Sequence, residues 1–175
     1  MRPIAIDGGE AKKKLCLSVG AEAFVDFKET KDVVAKVVEI ADGVGAHGVL
    51  VTAYQAYKGR STLDCSARPQ LTFLFTDAMG FVGNRKGSKI MCIALPPAGA
   101  VELGSEPSTW VFKNLHVIGT LVGTMQDTAS CLDYAKRGLL KSISEVRGKS
   151  EWAESVQQLR RGEIAGRVVI DFNKD

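Results

Sequence analysis

An α/β fold built on a doubly wound parallel sheet is predicted by three features of this sequence. Short apolar segments alternate along the chain with segments of helical character. Two apolar segments, HGVLVTA (47–53) and SKIMCIAL (88–95), are continuous runs of the kind expected in strands buried on both faces. Glycines at 20, 43 and 138 stand where the helical segments should stop.

The elements follow in order. IAID (4–7) reads as a short strand, and Glu10 to Val19 as a helix stopped by Gly20. AEAFVDF, rich in aromatic and β-branched residues, is the next strand. Thr30 is the expected cap of a helix through KDVVAKVVEIA, in which Val33, Val37 and Ile40 share one face. The two continuous apolar strands come next, then a loop at PPAGAVELGS and a short helix around STWVFKN. LHVIGTLVG is a strand, Asp127 the expected cap of a helix through TASCLDYAKRG, SEWAESVQQLRRGE a further helix, and AGRVVIDF the closing strand.

Residues 59–76 break this pattern. AYQAYK begins a helix, and DAMGFVGNRKG reads as the end of that same helix. The residues between them hold a proline after a polar run and an apolar cluster without a helical face. Loops this long without structure of their own are uncommon in compact domains. The stretch reads as an anomalous insert, a translated intron whose end, LTFLFT, can be encoded by a branch-point-like sequence and a pyrimidine run. A surface loop is the ordinary alternative, because loop closure costs grow slowly with length.

Composition narrows the function. The chain has 175 residues, 45% of them hydrophobic and 25% charged, an ordinary globular balance with room for one good core. No apolar run approaches the ~20 residues needed to span a bilayer. No basic region followed by an apolar core opens the chain, so neither a membrane nor a secretory route is expected and the cytoplasm is the expected location. The net charge of +3 is spread out, and its densest spots, Lys12 to Lys14 and Arg160-Arg161, look like solvated helix faces with no stacking aromatics between them. Nucleic acid is therefore not an expected partner. The four cysteines, at 16, 65, 92 and 131, lie far apart and read as buried thiols in a reducing compartment. The two histidines, His47 and His116, have no ligand-like neighbours in sequence, and no zinc spacing is present, so no metal ligand and no catalytic residue is assigned.

Asp7 is the first candidate for chemistry. A carboxylate at the C-terminal end of such a strand can accept both hydroxyls of an adenosine ribose and repels a 2′-phosphate, which favours NAD over NADP. The ordinary alternative is a turn aspartate before Gly8-Gly9. Lys12 stands where a first-turn side chain could reach the same ribose. Arg167, entering a strand after a glycine, reads equally as a pyrophosphate clamp and as an exposed strand arginine. Tyr54 and Lys58 match the Tyr-x-x-x-Lys pair of short-chain dehydrogenases, but the serine that pattern places upstream is missing, and the match is rejected.

Six segments together carry a resemblance: AIDGGEAKKKLCLSVGAEAFVDF, GAHGVLVT, GSKIMCIALPPAG, VIGTLVGT, RGLLKS and GEIAGRVVIDF. In order and spacing they resemble the C-terminal portion of a zinc-dependent medium-chain alcohol dehydrogenase of the fungal and yeast type. The resemblance covers nearly the whole chain outside residues 59–76. It implies NAD as coenzyme and a zinc-assisted interconversion of a primary alcohol and its aldehyde. It places Asp7 and Lys12 on the adenosine ribose, the backbone at Ile93, Ala94 and Leu95 along the nicotinamide together with Thr120 and Val122, and Arg167 on the pyrophosphate.

The resemblance also sets expectations about organisation. Residues 1–119 correspond to an incomplete Rossmann-type NAD-binding domain lacking its first strand and glycine-rich turn, and residues 120–175 to a segment returning to the catalytic domain. The zinc ligands of the full-length family lie in a portion without counterpart here. The chain is therefore expected to hold the coenzyme part only and to be inactive alone. The contrasting reading is a non-catalytic fragment that binds a nucleotide or associates with further subunits. Strands IAID and HGVLVTA, which would flank the missing first strand, should either pair with each other or keep open edges, and the isolated chain is expected to fold poorly.

The intron reading has a direct test. The spliced transcript is expected to join the codons for residues 58 and 77 directly; a mature transcript carrying 59–76 would end it.

Overall fold

The computed structural model describes residues 1–53, 77–96, 98 and 107–174. The anomalous stretch 59–76 and the Tyr54–Lys58 pattern lie outside the described residues. The chain divides into two compact units, Met1–Leu121 and Val122–Asp175, and each is taken by itself.

In the first unit, β1 (Ile4–Asp7), α1 (Glu10–Ser18) and β2 (Ala23–Asp26) form a parallel βαβ pair, with Ile4 opposite Ala23 and Asp7 opposite Asp26. α2 (Val33–Ile40) follows, then β3 (Gly48–Val51), α3 (Asp77–Gly80), β4 (Lys89–Cys92), α4 (Pro107–Lys113) and β5 (His116–Gly119). β3, β4 and β5 make a second parallel sheet in which Val51, Cys92 and Gly119 stand level at the C-terminal edge. The doubly wound sheet expected from the sequence is thus present as two parallel sheets. Between the two alternatives for the flanking strands, the open-edge one holds: β1 pairs only with β2 and β3 only with β4 among the described residues. In a doubly wound order the strands in these two places are not neighbours.

Apolar packing spans what hydrogen bonding does not. One buried cluster joins Val51, Ala78, Met79, Val82, Ile90 and Leu115, with Val49 packed against it. The other joins Val25, Val37 and Phe81, flanked by Ile4, Ile6, Val33, Ile40 and, again, Val49. Val49 therefore touches both cores. The face shared by Val33, Val37 and Ile40 on α2 packs inward as the spacing predicts.

Three local expectations are corrected. α2 is capped by Asp32, whose carboxylate accepts the Ala35 N–H at 2.9 Å, rather than by Thr30. β3 is not buried on both faces: Leu50 is 59% exposed while Val51 is buried, so the run alternates despite being apolar throughout. The described thiols are not buried either: Cys131 is exposed, and Cys16 and Cys92 are half-buried.

The second unit contains α5 (Met125–Lys136), β6 (Ser144–Gly148), a short 3-10 turn at Lys149–Glu151, α6 (Trp152–Arg161) and β7 (Arg167–Asp171). β6 and β7 pair in parallel. β6 was not foreseen, because SEVRG shows no apolar run. A polar cluster ties it to α6 instead: Arg147 donates to Ser155 Oγ at 3.0 Å and Gln158 Oε1 at 2.7 Å, and pairs with Glu145 at 2.9 Å. The cap of α5 is Thr124 rather than Asp127, which sits three residues on and closes a capping box. No helix among the described residues is long and apolar enough to cross a membrane.

Two predictions follow from this packing. Ile90 is fully buried between Val49 and Val117 on the neighbouring strands. Ile90→Ala is expected to lower unfolding stability by about 2–5 kcal/mol, read from the midpoint and slope of denaturant unfolding. A loss well under 1 kcal/mol would mean the core is not closed around this residue. At α5, the Thr124 backbone N–H and then its hydroxyl hold the Asp127 carboxyl below its usual range. A depressed carboxyl stabilises the fold at neutral pH, and that contribution is lost as pH falls through the lowered value. The Thr124 amide resonance should therefore shift only in strong acid, and the step should vanish in Asp127→Asn.

Candidate functional site

The C-terminal ends of parallel strands are where a fold of this kind leaves unpaired backbone groups and short turns free to bind ligands. The β1 end gathers the charges of Asp7, Lys12 and Asp26. β1 stops at Asp7 and turns through Gly8 and Gly9 into α1. The backbone requires glycine at position 9, while at position 8 a side chain would have to push aside the ends of Lys28 and Phe27. A Cβ on Gly8 would stand 2.9 Å from Lys28 Cε and 3.1 Å from the Phe27 ring, and Gly9 has φ +104°, where other residues are strained.

That turn brings Asp7 and Lys12 together. Lys12 Nζ lies 2.8 Å from Asp7 Oδ1, and the Gly8 N–H donates to the same oxygen at 2.7 Å. Lys12 is 21% exposed and Asp7 42%. The other oxygen, Oδ2, has no donor within hydrogen-bond distance among the described residues. The pair is a carboxylate with one oxygen committed to the protein and one available, beside a half-buried ammonium. Such a group suits a vicinal diol, which offers two donors. It repels an anion on that diol.

A second aspartate, not singled out from the sequence, belongs to the same turn. Asp26 ends β2 directly opposite Asp7. Its Oδ2 accepts the Gly9 N–H and its Oδ1 the Lys28 N–H, both at 2.8 Å. The Gly9 bond, followed by the Lys28 bond, holds its carboxyl below the usual range. The signal was present in the sequence: IAID and AFVD are both short apolar strands stopping at an aspartate.

The remaining candidates fall into two groups. At the end of β4, the Ile93 and Ala94 N–H groups both donate to the Val51 carbonyl, at 3.1 and 2.9 Å. The Thr120 N–H donates to the Cys92 carbonyl at 3.1 Å, so Ile93, Ala94 and Thr120 are bound to the same sheet edge. Leu95 beyond them is 78% exposed. Val122 and Arg167 belong to the second unit. Val122 is a β-branched residue at φ +46°, outside the region such residues favour. Arg167 opens β7, its N–H on the Ile143 carbonyl at 3.0 Å and its guanidinium without a partner among the described residues.

His47 Nε2 lies 2.9 Å from Arg85, whose Nε donates to the Gly45 carbonyl, and His116 opens β5. Among the described residues no group of three or more His, Cys, Asp or Glu is placed to hold a metal ion. The donor set for a zinc site does not assemble from them.

Parallel strands joined through crossover helices make a Rossmann-type α/β architecture. Solved structures share it. The alcohol dehydrogenase of the archaeon Aeropyrum pernix superposes with a TM-score of 0.72 at 21% identity, over 95% of this chain and 42% of that one. An NAD-dependent alcohol dehydrogenase superposes with a TM-score of 0.69 at 19% identity, over 97% of this chain and 43% of that one. In sequence the chain is 37% identical over 175 residues to alcohol dehydrogenase 1 of Neurospora crassa, and 34% identical over 174 residues to an alcohol dehydrogenase of Schizosaccharomyces pombe. No protein-family model matches. The chain is similar to these fungal alcohol dehydrogenases along 99% of its length and spans 44% of theirs.

Proposed function

We propose that this chain is the coenzyme-holding part of an NAD-dependent alcohol dehydrogenase acting between a primary alcohol and its aldehyde. The observation that carries the reading is the Asp7–Lys12 pair, with one carboxylate oxygen free at the end of β1. Its chemistry fits the ribose of an adenine dinucleotide. The free oxygen accepts ribose hydroxyls, Lys12 orients the carboxylate, and the negative charge turns away a 2′-phosphate. When bound, NAD supplies the hydride acceptor.

The rest of the coenzyme is assigned by kinship with the alcohol dehydrogenases. The backbone at Ile93, Ala94 and Leu95, with Thr120 and Val122, lies along the nicotinamide, and Arg167 takes the pyrophosphate. In this reading residues 1–119 are the NAD-binding domain and 120–175 return to a catalytic domain. The alcohol and aldehyde are substrates of the whole enzyme, which works in the cytoplasm and assembles with further copies of itself.

NAD binding to the chain, measured by calorimetry, is the test. Native chain is expected to prefer NAD to NADP. Asp7→Asn should weaken NAD by about tenfold or more, since hydrogen bonds to a charged group are lost, while NADP gains relative to it. Equal binding of both coenzymes by the native chain, or no change on substitution, removes Asp7 from the site.

A further inference from the structure

Asp26 makes no contact with the diol in the reading above, yet it is bonded to the turn that builds the site. We propose that Asp26 is the positioning residue of the Asp7–Lys12 pair, acting through the Gly9 N–H. The part of this proposal that concerns a nucleotide rests on the reading of Asp7 as a ribose acid.

Two bonds of Asp26 have different reach. The one to the Lys28 N–H spans two residues and shapes only the loop that follows β2. The one to the Gly9 N–H spans 17 residues and ties a different element, the start of α1, to the end of β2. α1 has particular need of it. Gly9 is its N-cap and has no side chain with which to cap the helix. At φ +104° Gly9 also lies where backbone freedom is greatest. The direction in which α1 leaves the turn is therefore set from outside, by a charge-assisted bond to Asp26.

What depends on that direction is specific. Gly8 precedes Gly9, and Lys12 lies in the first turn of α1. These are the two residues that hold Asp7 Oδ1, at 2.7 and 2.8 Å. Releasing Gly9 loosens both donors at once and frees the Asp7 carboxylate to turn. Asp26→Asn keeps one acceptor oxygen but presents an NH₂ group to one of the two N–H donors. Asp26→Ala loses both bonds.

The experiment uses the full chain, isotope-labelled, as native protein and as Asp26→Asn and Asp26→Ala. Asp32→Ala, which removes the cap of α2, serves as a control for general loss of stability. Without ligand, the Gly9 amide is expected to lose its exchange protection in the Asp26 variants, and the Gly8 and Lys12 resonances to move with it; in Asp32→Ala they should stay. If Gly9 changes alone, or if Asp32→Ala moves the same resonances, Asp26 does not position the pair. Adenosine 5′-monophosphate and adenosine 2′,5′-bisphosphate are then titrated. Asp26→Ala should weaken the monophosphate about tenfold and narrow its advantage over the bisphosphate, whereas a purely structural loss weakens both equally and overturns the proposal. Should the native chain bind neither nucleotide, the ribose reading fails, and the Gly8, Gly9 and Lys12 resonances still decide whether Asp26 holds the pair.

Discussion

Parallel pairing is the constraint on which the rest of this structure depends. Among the described residues every strand pair is parallel. A parallel pair cannot be closed by a tight turn, so the chain must cross over between strands, here through helices. The crossovers return each strand in the same direction, and the strand ends gather on one edge. Asp7 stands level with Asp26, and Val51 with Cys92 and Gly119, for this reason alone. The candidate site is a consequence of topology before it is a consequence of any side chain.

Charge is then placed on that edge economically. Two adjacent aspartates at strand ends would repel each other if both faced open solvent with no donors. Each is instead given its own set: Asp7 takes the Gly8 N–H and Lys12, Asp26 the N–H groups of Gly9 and Lys28. Gly8 and Gly9 serve the two carboxylates in turn, one N–H each. A two-glycine turn thus divides its donors between neighbouring strands, and one oxygen of Asp7 is left over. The second unit solves a different problem with the same means, since β6 is joined to α6 by the guanidinium of Arg147 rather than by an apolar face.

Legibility in the sequence varied with the kind of signal. Where apolar spacing or a glycine stop marked an element, as in α2 through Val33, Val37 and Ile40 or in α1 before Gly20, its place could be read directly. β6 could not, because its inward contacts are polar and SEVRG resembles a loop. The caps were misplaced by two or three residues. Thr30, Asp32, Thr124 and Asp127 are all good capping types, and only backbone geometry decides which one meets a free N–H. Leu50 shows the converse limit, since an apolar residue in an apolar run still lies on the exposed side of its strand.

Asp7 and Lys12 were found from the sequence because a strand, an acid and a first-turn lysine are local features, separated by five residues. The chain's similarity to the fungal alcohol dehydrogenases is likewise carried by the order of short segments. Asp26 was overlooked although it closes an equally short strand. Its importance comes from a hydrogen bond to Gly9 across 17 residues, and no local pattern announces such a bond. Side-chain periodicity and backbone preference fix the strands and helices other than β6, and the acid that ends the first strand. Only the tertiary structure decided which donors each carboxylate receives, because strand register sets which groups come within 3 Å of one another.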